Sequence, residues 1–214
     1  MAHNYASGLI TFGPEADLEL IAKVFSELVQ AFCPPGGLRV RVSRGKRTEV
    51  LGTRFSQTAS ISAAQLSKGG SVELTAGADF DQPAKGMPLF WITSDPEAEE
   101  IAVRLGFCIV KPPSGEAERA VAHAISTIME VATDIGGCLS AEAAAQPDYT
   151  ALVDEEVTET GWRTLVSKEQ MKSLKRPPPD GVTLERCKNG VLVKVDTPSP
   201  WAPIHATITR WLDA

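Results

Sequence analysis

The stretch of sequence that decides the fold begins Gly161-Trp162-Arg163-Thr164-Leu165 and continues with Ser167-Lys168-Glu169-Gln170. The first segment predicts a strand. The second has the serine and glutamine of a capping box, in which each side chain bonds the other residue's backbone N–H, and it predicts a short helix through Leu174. Pro177-Pro178-Pro179 ends this helix because proline cannot continue the backbone hydrogen bonds. Local structure is strongly specified here, whereas chemistry is not.

Two alternating segments follow, Val182-Thr183-Leu184-Glu185-Arg186 and Val191-Leu192-Val193-Lys194-Val195, with Asn189-Gly190 between them. Asparagine and glycine both accept a positive φ, so the pattern predicts a β-hairpin. A last helix is then predicted, whose aligned apolar residues are Ile204, Ile208, Trp211 and Leu212. Docking of Trp211 would hold the C-terminus in place.

Two longer helices are predicted earlier in the chain from apolar residues at helical spacing. The first ends before Cys33-Pro34-Pro35-Gly36-Gly37, and the second runs from Pro112-Pro113-Ser114 to Gly136-Gly137. Their apolar stripes are Leu18, Ile21, Ala22, Phe25, Leu28, Val29 and Phe32 in the first helix and Ala120, Val121, Ala124, Ile125, Ile128, Met129 and Ala132 in the second. His123 falls beside the second stripe, which favours a surface position.

Further strands are predicted where apolar residues alternate or form short runs, at residues 38–42, 72–74, 88–92 and 106–110. Since no internal repeat and no long linker interrupts the pattern, we expect one α+β domain over residues 1–214. Its sheet should be mostly antiparallel, with two long amphipathic helices and a short C-terminal helix packed on it.

Composition is that of an ordinary globular protein, with 43% hydrophobic and 22% charged residues among 214. The formal charge of −6 disfavours nucleic acid or an anionic membrane as the main partner, because both attract basic surfaces. The N-terminus lacks the features of a signal peptide, and no apolar run is long enough to span a membrane. We therefore expect a cytoplasmic protein with reduced thiols at Cys33, Cys108, Cys138 and Cys187.

Charge is unevenly distributed along the chain. Residues 39–54 contain six basic residues and one acidic residue, and we interpret them as the solvated face of a strand. Residues 141–160 contain six acidic residues and no lysine or arginine. This acidic segment is either a solvated linker or helix, or a recognition surface for a basic protein. A second acidic cluster, on a loop or short helix, contains Asp95, Glu97, Glu99 and Glu100.

No catalytic or metal-binding constellation emerges from the sequence. The three histidines, His3, His123 and His205, are too scattered for a zinc site. The nucleophile elbow, the Walker loop and the glycine-rich dinucleotide fingerprint are all absent. Asp79 and Asp81 have a spacing found in cation loops, but without further oxygen ligands they indicate an ordinary turn. We therefore expect no cofactor and no metal, while an acid/base pair that the fold assembles from dispersed carboxylates stays open.

The sequence from residue 161 onwards resembles the immunity protein 52 family, or a related type VI secretion immunity family. The resemblance rests on Gly161-Trp162 before a strand and polar helix, a proline break, a strand, Asn189-Gly190-Val191-Leu192-Val193, and a terminal helix with His205. Such families are bacterial antidotes encoded beside polymorphic toxins, which are often delivered by contact-dependent secretion. The resemblance implies a non-enzymatic protein that binds and neutralises one cognate toxin effector.

The toxins of this family are commonly nucleases, whose DNA-binding clefts are basic and therefore suited to an acidic inhibitor. Charge then selects the expected contact residues, which are Tyr149 as an anchor, Asp154, Glu155, Glu156 and Glu159, followed by Asp95, Glu97, Glu99 and Glu100. Steric blocking away from the toxin's active site is equally compatible. The alternative is a small cytoplasmic enzyme or ligand-binding domain, which a deep pocket lined by groups with shifted pKa values would favour.

Overall fold

The fold is built on one sheet with helices packed on it. The computed structural model describes residues 4–31, 39–44, 47–51, 66–75, 89–110, 115–145, 162–196 and 201–212. The strands within these residues are β1 (Asn4–Phe12), β2 (Arg39–Arg44), β3 (Arg47–Leu51), β4 (Gly70–Thr75), β5 (Leu89–Ser94), β6 (Val103–Val110), β7 (Cys138–Ala145), β8 (Arg163–Ser167), β9 (Val182–Arg186) and β10 (Gly190–Val195). The helices are α1 (Leu18–Ala31), α2 (Gly115–Asp134), α3 (Lys168–Ser173) and α4 (Trp201–Leu212).

The strand order across the sheet is β3-β2-β4-β5-β6-β1-β7-β8-β10-β9. Each of these neighbouring pairs is antiparallel. The N-terminal strand β1 is therefore central, with β6 on one side and β7 on the other. These pairings confirm the α+β class and its antiparallel sheet, while the extent of the chain as one domain stays a prediction.

The hydrophobic core lies between one face of this sheet and the helices α1 and α2. Alternate residues of a strand point to the same face, and the pairing places Ile10 of β1 opposite Leu105 of β6 and Ala141 of β7. All three side chains are fully buried. The helices contribute Ile21, Phe25 and Leu28 from α1 and Ile125, Met129 and Ala132 from α2. Burial of each larger side chain contributes roughly 1.5–3 kcal/mol.

Two aromatic rings lie directly over glycines of the neighbouring strand and fix the central register. Phe107 of β6 covers Gly8 of β1, and Trp91 of β5 covers Gly106 of β6. A Cβ atom would lie 2.4 Å from the Phe107 ring at position 8 and 2.1 Å from the Trp91 ring at position 106. Because no side chain fits at either place, β5, β6 and β1 are held in a single alignment.

The linker or helix predicted from residue 141 is wrong for residues 141–145, because Cys138–Ala145 forms β7 inside the sheet. Alanine favours helices, but Ala141 and Ala143 occupy buried strand positions. Their small side chains let α2 pack closely on β7, so tertiary contacts override the local preference. Glu142 consequently lies half-buried in the sheet and not on a recognition loop.

The predicted hairpin joins β9 to β10, but its turn differs from the predicted one. Neither Asn189 nor Gly190 has a positive φ. Asn189 instead donates its side-chain amide to the carbonyl oxygens of Thr133 at 3.0 Å and Ile135 at 2.5 Å, where α2 ends. Gly190 is required because a Cβ there would lie 2.2 Å from the carbonyl oxygen of Val166 in β8.

Two tryptophans hold the C-terminal part of the molecule together. Trp162 is buried, and its Nε1 donates to the carbonyl oxygen of Val195 at 2.8 Å. Trp211 of α4 is also buried and donates to the carbonyl oxygen of Arg176 at 3.1 Å. The predicted docking of Trp211 is confirmed, because this bond ties α4 to the segment between α3 and β9.

The basic segment forms β2 and β3, but the interpretation of a solvated strand face is wrong at Arg41. This side chain is only 23% exposed and forms an ion pair with Glu73, the residue opposite it in β4. Residues 52–65 of the segment's continuation lie outside the described residues, as do Asp79 and Asp81.

Candidate protein-binding surface

The acidic cluster predicted at residues 95–100 lies on a turn between β5 and β6, not on a helix. Asp95, Glu97, Glu99 and Glu100 are all exposed. Asp95 organises the turn, because its Oδ1 accepts the backbone N–H of Glu97 at 3.1 Å and its carbonyl oxygen accepts that of Ala98 at 3.2 Å. The carboxylates are therefore presented on an ordered turn.

Backbone hydrogen bonds fix this turn to the end of the central strand. The N–H of Asp95 donates to the carbonyl oxygen of Ala102 at 2.7 Å, and the N–H of Ala102 donates to that of Phe12 at 2.9 Å. Phe12 is the last residue of β1. The acidic turn and the loop that follows β1 thus lie at the same end of the sheet.

A second group of carboxylates comes from the loop after β1 and the start of α1. Glu15, Asp17 and Glu19 are exposed. Asp17 caps α1, because its Oδ1 accepts the N–H groups of Glu19 at 2.9 Å and Leu20 at 3.1 Å. A carboxylate at this position is stabilised by the positive end of the helix dipole.

The turn between α2 and β7 completes this end of the sheet. The N–H of Gly13 donates to the carbonyl oxygen of Gly137 at 2.8 Å, and a Cβ at Gly137 would lie 2.9 Å from backbone atoms of Ala16. Asp134 and Leu139 flank the turn and are exposed. We define the acidic end of the molecule as the exposed carboxylates Glu15, Asp17, Glu19, Asp95, Glu97, Glu99, Glu100 and Asp134.

Four of these carboxylates, at positions 95, 97, 99 and 100, are contact residues predicted from the sequence, and that role stays a prediction; the other four were not among the predicted contacts. The missed ones join the cluster only because β1 pairs with β6 and β7, and no local pattern reports such pairings. Two exposed leucines, Leu20 and Leu139, accompany them and are each 46% accessible. The remaining predicted contact residues, Tyr149, Asp154, Glu155, Glu156 and Glu159, lie outside the described residues.

A second polar group lies between α2 and β10, where Lys194 bonds two carboxylates. Its Nζ lies 2.6 Å from Glu130 of α2 and also pairs with Glu185 of β9. Burial lowers the pKa of Lys194, but its hydrogen bonds and ion pairs with Glu130 and Glu185 outweigh this effect and raise the pKa overall. The three charges link α2 to the hairpin.

Arg163 of β8 makes a similar link to α2. Its guanidinium donates to Ser126 Oγ at 2.9 Å and to the carbonyl oxygen of Val195 at 3.2 Å. The same group lies over the Trp162 ring, 4.8 Å from its centroid, which is a cation–π arrangement. Burial lowers the pKa of Arg163, and the carboxylate of Glu130 is the main opposing influence. These contacts are those of a structural cation.

A pocket of about 740 Å³ lies between α3 and the β9–β10 hairpin. The described residues that line it are Lys168, Met171, Lys172, Leu184, Arg186, Cys187, Gly190 and Val191. The groups with shifted pKa values, Cys138, Arg163 and Lys194, do not line it. The combination that would favour an enzyme, a pocket lined by such groups, is therefore not found among the described residues.

Among the described residues no group of three or more histidine, cysteine, aspartate or glutamate side chains could hold a metal ion. None of the described helices is both long and apolar enough to cross a membrane. Cys108, Cys138 and Cys187 are free thiols.

The solved structures similar to this chain include two from Pseudomonas aeruginosa. One is T6SS protein PA0821, with a TM-score of 0.64 and 12% identity over 97% of this chain and 72% of that chain. The other comes from the complex of the toxic C-terminal tip of CdiA with its immune protein, with a TM-score of 0.37 and 11% identity over 76% of this chain and 95% of that chain.

At 12% identity, the first likeness shows a common fold and nothing about activity. A TM-score of 0.37 is too low to carry an argument. No protein-family model matches the sequence, and no curated protein matches it.

Proposed function

We propose that this chain is an immunity protein that binds a cognate bacterial toxin effector and neutralises it. It would act as a non-enzymatic inhibitor in the cytoplasm, as one domain over residues 1–214, without a cofactor. Membership of the immunity protein 52 family, or of a related type VI secretion immunity family, is part of this proposal. So is the identity of the toxin as a basic nuclease.

The observation that carries the proposal is the acidic end. Its eight exposed carboxylates come from three separate segments, Glu15 to Glu19, Asp95 to Glu100 and Asp134, that the sheet brings together. An acidic surface of this kind attracts a basic cleft at long range and raises the association rate. Leu20 and Leu139 beside it supply apolar contact area, which interfaces need for affinity.

The carboxylates on the turn after β5 are the part of the predicted interface that can be altered without disturbing the core. Reversing the charge at Glu97, Glu99 and Glu100 together leaves Asp95, which organises the turn, unchanged. Since each charge pair lost at the rim is worth about 0.2–1 kcal/mol, the binding of the toxin by the triple variant should be weaker by a factor of roughly 3 to 150.

The test is co-expression with the protein encoded beside this chain, followed by measurement of cell survival and of complex formation. The wild-type chain should protect the cells and co-purify with the toxin, and the triple variant should do so less well. A matched control reverses three exposed carboxylates away from the acidic end, Glu27, Glu169 and Asp180. Equal protection by both triple variants would show that the acidic end is not the interface. Absence of protection by the wild-type chain would contradict the proposed function.

A further inference from the structure

The outer edge of β9 is a strand edge without a neighbour among the described residues, because β9 ends the strand order. Antiparallel pairing alternates residues that bond the partner strand with residues whose backbone groups point away from it. Cys187 N–H donates to the carbonyl oxygen of Gly190, and Asp196 N–H to that of Gly181. In this register, the backbone groups of Leu184 point away from β10.

The backbone groups of Arg186, two residues further along β9, have the same orientation as those of Leu184 and also point away from β10. Both present an N–H and a carbonyl group to the open edge, where a further strand would bond them. Their side chains also share a face with Val191, which is opposite Arg186 in β10. That face is turned away from α2, since Lys194 reaches α2 from the other face.

The pocket of about 740 Å³ lies over the same face, so one segment could meet the open backbone and the pocket together. Half-buried Met171, Leu184 and Val191 give it an apolar floor. Its rim carries the exposed cations Lys168, Lys172 and Arg186. None of its described lining residues is acidic, and Glu185 of the same strand is held by Lys194 on the opposite face.

We propose that β9 is a docking site for an extended acidic segment of a partner protein, which adds to the sheet as an edge strand. The register fixes the chemistry of that segment. Residues opposite Leu184 and Arg186 point towards the pocket and are two positions apart. The segment therefore has an apolar residue with an acidic residue two positions away, and one polar residue between them.

Charge decides between this occupant and a second copy of the chain. Pairing β9 with β9 of another copy would bring two sets of Lys168, Lys172 and Arg186 together, which like-charge repulsion opposes. An acidic segment is attracted by the same cations. This site is separate from the acidic end, and the proposal does not depend on the identity of the toxin.

The experiment titrates the full-length ¹⁵N-labelled protein with the end-blocked peptide Ser-Glu-Thr-Leu-Thr-Glu-Ser and follows its amide resonances. Two comparison peptides carry lysine in place of glutamate, or N-methyl groups on alternate backbone amides. We expect shifts at Leu184, Arg186 and α3 with the acidic peptide only. Arg186→Glu should weaken binding at least tenfold, and Lys23→Glu, at an exposed lysine on α1, should leave it unchanged.

Several results would overturn the proposal. If the lysine peptide binds as tightly as the acidic peptide, the site has no preference for acidic residues. If the N-methylated peptide binds as tightly, the segment does not add to the sheet as a strand. If Arg186→Glu leaves the affinity for the acidic peptide unchanged, or if the amide resonances of β9 do not shift, β9 is not the binding site. If the protein alone forms a dimer that Arg186→Glu alters in size-exclusion chromatography with light scattering, the occupant of this edge is a second copy.

Discussion

Gly190 shows how one residue can be required by its neighbour and not by its own conformation. Its φ is not positive, yet the backbone of β8 approaches so closely that only a hydrogen fits on its Cα. The Asn-Gly pair therefore predicted the hairpin correctly, but the positive φ angles on which the prediction rested are not present at these two residues. The side-chain amide of Asn189 instead donates hydrogen bonds at the end of α2. This contact joins residues more than fifty positions apart, which no turn pattern encodes.

Replacing Gly190 with alanine should destabilise the protein by roughly 1–3 kcal/mol, because a Cβ 2.2 Å from the Val166 carbonyl oxygen forces β8 and β10 apart. Gly136→Ala is the matched control, since no atom lies within 4 Å of its Cβ position. It should change the free energy of unfolding by about 0.5 kcal/mol or less. Urea unfolding measures both, and similar values for the two variants would contradict the packing at Gly190.

Cys138 gives a prediction for the dependence of stability on pH. Burial, with a smaller contribution from Cys187, raises the pKa of this thiol from 9.0 to about 12. The folded state therefore keeps the proton to higher pH than the unfolded state. The stabilisation is complete below pH 9 and is lost as the pH rises from 9 towards 12.

The slope attributable to this one proton is at most about 1.4 kcal/mol per pH unit. Comparing wild type with Cys138→Ala removes the contribution of other groups that titrate in the same range. The free energy of unfolding of the variant should fall less steeply between pH 9 and 12. Parallel curves for the two proteins would show that the thiol is not held in its neutral form.

At the scale of elements, the sequence was most informative where a pattern is local. The helices α1 and α2, the strands β9 and β10 and the docking of α4 follow from periodicity, proline and glycine signals, which act within a few turns. It was least informative at β7, where alanine-rich Cys138–Ala145 has the composition of a helix. That strand exists because β1 offers it a partner, and pairing across the sheet is invisible to a local pattern.

The side chain of Asn189 caps the C-terminal end of α2. Asn189→Ala leaves the carbonyl oxygens of Thr133 and Ile135 without their donor, and should cost about 1–3 kcal/mol. Asn189→Asp should cost more, because it adds a negative charge at the negative end of the helix dipole. Lys188→Ala, at the exposed neighbouring position, is the control. Thermal or urea unfolding that ranks aspartate as the milder change would contradict this cap.

In the molecule as a whole, acidic and basic residues lie at different places on the sheet. The end of the β5, β6, β1 and β7 strands collects the exposed carboxylates, whereas Lys168, Lys172 and Arg186 lie at the β9 edge. The sequence predicted that an acidic surface exists, but not that residues 15–19 and 134 belong to it. Their positions depend on the order of the strands, which the sequence alone did not supply.

The acidic end should make association with the toxin depend on salt. Dissolved ions screen the attraction between the acidic end and a basic partner. The screening length is about 8 Å at physiological ionic strength. The association rate with the toxin should therefore fall as salt is added, while the dissociation rate changes little. Glu97→Lys, Glu99→Lys and Glu100→Lys together should flatten this dependence. The Glu27, Glu169 and Asp180 reversal should preserve it.

The most direct measurement is the association rate of the purified chain with the purified toxin encoded beside it, at low and high salt, for wild type and the acidic-end triple variant. The proposed function predicts a stable complex whose association is fast at low salt, slows with added salt, and is slower in the variant. Absence of a complex would contradict the immunity function. A complex whose association rate ignores both salt and the triple substitution would contradict the acidic end as its interface.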